Sequence, residues 1–344
     1  MAVEFRGNLK TTGIGSLPIA ECEEAVSFVL DAGLSIPFWP QLPKRAFIER
    51  MVPQFSEFMP CVRIDAAQGR IGFDAAEKYH HLEGFYEAFL SEDLAPFALS
   101  EEAAAGLYAF QRRAAGRSWP IVKGHITGPL TFCMGICDAD KRPLYADADL
   151  RDAAVKLLTR KAQWQIERLR PLAAESVLIF VDEPILAAYG SSAYLGICEE
   201  DVWQLTGEVI RAIREAGAVA GMHVCGNSDW GVMIRTGVDV LNFDAWQYGP
   251  TIALYVEQVR ALLDRGGCIA WGVVPTVTVA DADLEAVVRR LDECLDALTA
   301  KGFDREELRA ASLLTPACGT GSIPFENARK TFSLLRQLGE MVIG

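Results

Sequence analysis

At 344 residues, 51% hydrophobic and 23% charged, the chain leaves room for one barrel or two modest domains, and its composition excludes a disordered or collagen-like protein. Lys and Arg number 33 against 46 Asp and Glu, and the net charge of −13 repels phosphate backbones and anionic membrane surfaces. Neither nucleic acid nor membrane is expected as a partner. Nine scattered cysteines, with an N-terminus carrying Glu4, Arg6 and Lys10 and no apolar leader-like run, give the expectation of a reduced, cytoplasmic protein.

Taken in chain order, short apolar or β-branched runs that end in Gly, Pro or polar residues predict strands at 11–17, 35–38, 120–124, 177–182, 219–224, 238–243, 268–273 and 312–315. Longer segments with apolar residues every three and four positions predict helices at 20–32, 149–169, 199–215, 252–263, 282–300 and 324–338. Strand and helix alternate, which implies parallel pairing through right-handed crossovers, and the number of units predicts a single (β/α)8 TIM barrel spanning 1–344. The glycine fingerprint of an open dinucleotide-binding sheet is broken by Pro18. The segment 41–119, with a hairpin pattern at 62–72 and helical spacing at 75–90 and 101–115, is expected to be a hairpin and helical insertion between strands 2 and 3.

Active sites of such barrels lie where strands end, so polar residues at those points are the candidates. His223 and Cys225 are two apart on a predicted strand and project to one face, and Cys318 follows the last strand. An N/S set of three suits tetrahedral zinc with one open position, and Asp244 is a candidate displaceable fourth ligand. Asp182 is a carboxylate at a strand end, a placement that reads as functional. His125 has no visible partner in the sequence and is expected to be a hydrogen-bonded structural histidine. Cys22, Cys61, Cys198, Cys268 and Cys294 are read as small buried side chains.

The runs TTGIGSLP at 11–18, TGPLT at 127–131, VDEP at 181–184, HVC at 223–225, DVLNFD at 239–244 and PACG at 316–319 resemble, in order, the motifs of the C-terminal catalytic barrel of cobalamin-independent methionine synthase. HxCG alone is also similar to corrinoid-dependent thiol methyltransferases of the uroporphyrinogen decarboxylase superfamily. The resemblance implies a thiol methyltransferase with His223, Cys225 and Cys318 as zinc ligands and Asp244 in place of a glutamate near the metal. It implies that Ile14, Gly15 and Ser16 hold the carboxylate of homocysteine, that Asp182 receives its ammonium, and that Glu49 is a second acid there.

Departures from the family concern the donor. Ala188 stands where a folate-contacting glutamate is expected, Met134 and Gly135 where an aromatic faces the pterin, and the run 272–277 holds no histidine where the family has its proton donor. The family's extra N-terminal barrel is also expected to be missing. A methyl on a folate amine needs protonation before a thiolate displaces it, so a methyl-corrinoid, free or on a corrinoid protein, is the expected donor. The alternatives are methyl transfer to a coenzyme M-type thiol and a metal-free lyase on the same barrel.

Overall fold

The computed structural model describes residues 5–189 and 196–343. Its strands are β1 (Lys10–Thr11), β2 (Val62–Asp65), β3 (Arg70–Phe73), β4 (Trp119–Thr127), β5 (Ala173–Asp182), β6 (Val219–Val224), β7 (Val240–Phe243), β8 (Cys268–Val274) and β9 (Ser312–Pro316). Seven of them form a parallel sheet in the order β1-β9-β8-β7-β6-β5-β4. The sheet curls into an α/β barrel with its helices outside.

The eighth barrel position is occupied by an extended segment without a continuous ladder. Ile36 N donates to Thr11 O, Lys123 N to Pro37 O, and Gln41 N to Gly15 O, so the segment ties β1 to β4 through single bonds. Pro37 and Pro40 explain the difference from the predicted strand, because neither has an N–H to donate. The predicted first strand is cut short in the same way: beyond Thr11 the chain leaves the ladder for the loop that carries Gly13 and Gly15.

Helices cross between the strands where apolar spacing puts them. Ala148–Leu169 joins β4 to β5 and begins at Asp147, whose carboxylate accepts from Asp149 N and Leu150 N. Leu284–Thr299 begins at Asp283 in the same fashion and precedes β9. The predicted helix 199–215 is interrupted: Glu199–Asp201 runs through a wide π turn at Val202–Thr206 into Gly207–Glu215. Between the second barrel position and β4, the antiparallel pair β2–β3 and the helices Lys78–Leu90 and Ala105–Ala114 pack outside the main sheet.

Strand alternation divides the interior from the flank. Ile14, Ile36, Ile121, Leu178, Phe180, Val219, Val240, Cys268, Ala270 and Leu313 form one buried cluster, which fills the barrel floor with a side chain from each barrel position. Further along the same inner faces, two residues on in four strands and four residues on in β6, the apolar series gives way to Lys123, Asp182, His223, Asn242 and Thr315. The polar layer thus rests on an apolar plug. Among the described residues, no helix is long and apolar enough to cross a membrane.

Candidate functional site

Register places the polar layer. Thr127 lies opposite Asp182, Asp182 opposite His223, and His223 opposite Asn242 on four adjacent strands. Cys225 follows β6 one step beyond the sheet on the face of His223, and Cys318 enters from the loop after β9. The metal-binding atoms of His223, Cys225 and Cys318 lie within 4.8 Å of one another.

Asn242 sets the chemistry of the histidine. Its Nδ2 donates to Ala270 O and to Thr315 Oγ1, each at 2.8 Å, so its Oδ1 is the atom left to face His223 Nδ1 at 2.5 Å. Nδ1 therefore carries the ring proton, and Nε2 keeps its lone pair. That Nε2 is buried and has no hydrogen-bond partner among the described residues. A buried nitrogen lone pair beside two sulfurs is what a zinc ligand set requires, and the three side chains fit that ion. Contact with Cys318 and with His223 holds the Cys225 thiol well below its ordinary value, while Cys318 is pushed up by its contact with Cys225 and by burial.

Asp244 is placed differently from this trio. Its Oδ1 accepts from Gln247 N at 2.9 Å and its Oδ2 from Gln247 Nε2 at 2.8 Å, so it caps the helix Ala245–Tyr248. The cap engages both oxygens, and Asp244 stays outside the close trio.

Asp182 ends β5 with Oδ1 buried and without a hydrogen-bond partner among the described residues. Burial raises its carboxyl, opposed by His223 and by Lys123. Lys123, fully buried, donates from Nζ to Ile14 O at 2.5 Å and sits 4.4 Å from the centre of the Phe180 ring. Burial lowers its ammonium, and Asp182 opposes the fall.

Ser16 joins the mouth from the first loop. Thr320 donates to Ser16 O through its N–H and its hydroxyl, and Gly321 N donates to Ser16 Oγ at 3.2 Å. The loop 14–16 and the Cys318 loop are thereby one unit. Glu49, fully buried on the turn Phe47–Glu49, takes Arg45 Nη1 at 2.6 Å and leaves Oε2 without a partner. Burial pushes its carboxyl up to about 7 against the pull of Arg45.

Four residues differ from the sequence expectations or lie outside them. Asn242 and Lys123 each lie two positions from a recognised candidate on the same strand face, and that period was the signal that could have found them. His125 was expected to be hydrogen-bonded, yet both of its ring nitrogens are buried without a partner among the described residues. Cys198 is exposed and bonds Asp201, because it caps the helix Glu199–Asp201 instead of entering the core.

No protein-family model matches the sequence, and no curated protein matches it. Solved structures do. The chain is similar to a B12-independent methionine synthase from Shewanella sp. W3-18-1 in complex with selenomethionine, at 14% identity and a TM-score of 0.58 with 97% of each chain covered. It is similar to a methyltransferase from Methanosarcina mazei at 14% identity and a TM-score of 0.55, over 96% of this chain and 92% of that one. This chain shares their fold. The shared fold extends over nearly the full length of the chain.

Proposed function

We propose that this protein is a zinc-dependent methyltransferase that moves a methyl group to a thiol, with homocysteine as acceptor and a methyl-corrinoid as donor. The His223, Cys225 and Cys318 trio carries the reading, since its histidine offers a buried, tautomer-fixed Nε2 beside two sulfurs. Zinc held by His223, Cys225 and Cys318 would supply a Lewis acid that favours the thiolate form of a substrate sulfur near neutral pH. The likeness to a methionine synthase and a methyltransferase supports the same class of reaction.

The protein's own groups orient the acceptor. Asp182 Oδ1 and Glu49 Oε2 are buried acceptors lacking a donor, the complement of an ammonium that is costly to bury alone. Ile14, Gly15 and Ser16 present the opposite end of the site. In the transfer, the acceptor sulfur contributes the electron pair of the new S–C bond, and the donor keeps the pair of the bond that breaks. A corrinoid leaves without a proton, whereas a folate amine needs an acid, and the run 272–277 after β8 supplies no titratable side chain.

The test is product formation by the zinc-loaded protein with homocysteine and each donor. Methionine is expected from methylcobalamin, with the methyl-folate slower by about 10²–10⁴-fold for want of an acid. Comparable turnover from the folate overturns the donor. No product with either donor overturns the thiol reading.

A further inference from the structure

The structure assigns to His125 a direct hydrogen bond to the carboxylate of the acceptor, which makes it a specificity residue of the site; the inference rests on the thiol-methyltransferase reading above. His125 lies on the inner face of β4 between Lys123 and Thr127 at the two-residue spacing of that face. Its ring is 2% exposed, and neither nitrogen has a hydrogen-bond partner among the described residues. Buried polar atoms of a native fold are paired in the large majority of cases, so a ring with two unpaired nitrogens calls for an explanation.

Packing does not explain it. The ring stacks on Trp39 at 4.0 Å between centroids with 27° between planes, and Phe55 meets it edge-on at 6.2 Å. These are contacts that phenylalanine or methionine would make equally well. They are nonetheless firmly held: Trp39 Nε1 donates to Gln165 Oε1 at 2.9 Å, and Gln165 Nε2 donates to His125 O at 3.0 Å. One glutamine thus pins both the ring's backbone and the indole stacked on it. The fold spends a clamp on orienting an imidazole whose nitrogens it does not otherwise use.

What lies beside the ring indicates its ligand. A Cβ on Gly15 would fall 2.8 Å from His125 Nδ1, so the glycine lets the loop 14–16 approach the imidazole edge. That loop also carries Ser16, fixed by the Cys318 loop, and Ile14 O, which takes the Lys123 ammonium. Thr127 Oγ1, two residues along the same strand face, is likewise buried without a partner. Asp182 and Glu49 suit the cationic end of an α-amino acid. An imidazole N–H beside the loop suits its anionic end. Burial and the nearby Lys123 charge keep the imidazole neutral, with one N–H to donate and no charge of its own to compensate.

Titration calorimetry on the zinc-loaded protein tests this with two thiols, homocysteine and aminopropanethiol, which is homocysteine without its carboxylate. The wild type is expected to bind homocysteine more tightly. His125→Phe keeps the stack on Trp39 and removes both nitrogens, so it should lose about 10–100-fold in homocysteine affinity, the scale of one hydrogen bond to a charged group, with aminopropanethiol unchanged. His125→Gln, which retains a donor, should recover part of the loss. His125→Met provides a second side chain without a hydrogen bond if the phenylalanine variant does not retain zinc. Wild-type affinity for homocysteine in the Phe or Met variant, or an equal loss for both thiols at full zinc content, overturns the assignment while leaving the methyltransferase reading in place. A wild-type protein that binds neither thiol overturns both.

Discussion

Asn242 controls which nitrogen of His223 is offered to the mouth of the barrel, because its own amide donors are already committed to Ala270 and Thr315. The histidine then turns Nε2 toward the two cysteine sulfurs, the arrangement on which the proposed zinc site rests. Cys225→Ser and Cys318→Ser should each lose most of the bound zinc in elemental analysis, since a hydroxyl replaces the soft thiolate that the ion prefers. Full zinc retention in both variants would sink the site. Asp182 makes a different prediction. Its Oδ1 is buried and unpartnered, so Asp182→Asn should weaken homocysteine binding by about tenfold or more, the cost of an unmade charge-assisted bond, and should leave mercaptobutyrate, the same thiol without the amine, nearly unaffected. Equal effects on the two thiols in calorimetric titration would show that Asp182 does not receive the ammonium.

The element that presents Thr127 to the site is held by a neighbour the sequence marks only as part of a strand end. Glu183, fully buried, accepts at Oε1 from Leu130 N at 2.9 Å and at Oε2 from Thr131 N and Thr131 Oγ1 at 2.9 and 2.7 Å. These are the first donors of the helix Pro129–Gly135, which have no partner within the helix itself. Burial raises this carboxyl to about 7, against the pull of Thr131 and Leu130. Glu183→Gln turns one acceptor into a donor facing N–H groups and should cost about 1–3 kcal/mol of stability in urea melts. An unchanged midpoint would mean that the helix start is satisfied by something else. The neighbouring Asp182 was legible as a site residue because it ends a strand on the inner face; Glu183 faces the flank, and only the packing of the next loop reveals its role. Asp244 shows the converse. Its spacing to Gln247 is that of a helix cap, and this local bonding occupies both carboxylate oxygens.

At the scale of the molecule, the barrel could be read from the alternation of strand and helix, and seven of the expected strand sites carry a ladder in the structure. The eighth could not be read correctly, because apolar residues Ile36 and Phe38 mark a strand while Pro37 and Pro40 deny it a ladder. The site was legible where inner-face periodicity and ligand chemistry coincide, as at His223 and Cys225. It was hidden where long-range packing decides, as at His125, whose clamp reaches to Gln165 on an outer helix. That long-range closure bears on how the site is assembled. β1 has its ladder with β9, and the third member of the trio, Cys318, follows β9 in the chain. The trio therefore joins two distant parts of the sheet, and a chain folded only as far as β6 holds His223 and Cys225 without Cys318. Assembly of the trio is thus coupled to the docking of β9 between β8 and β1.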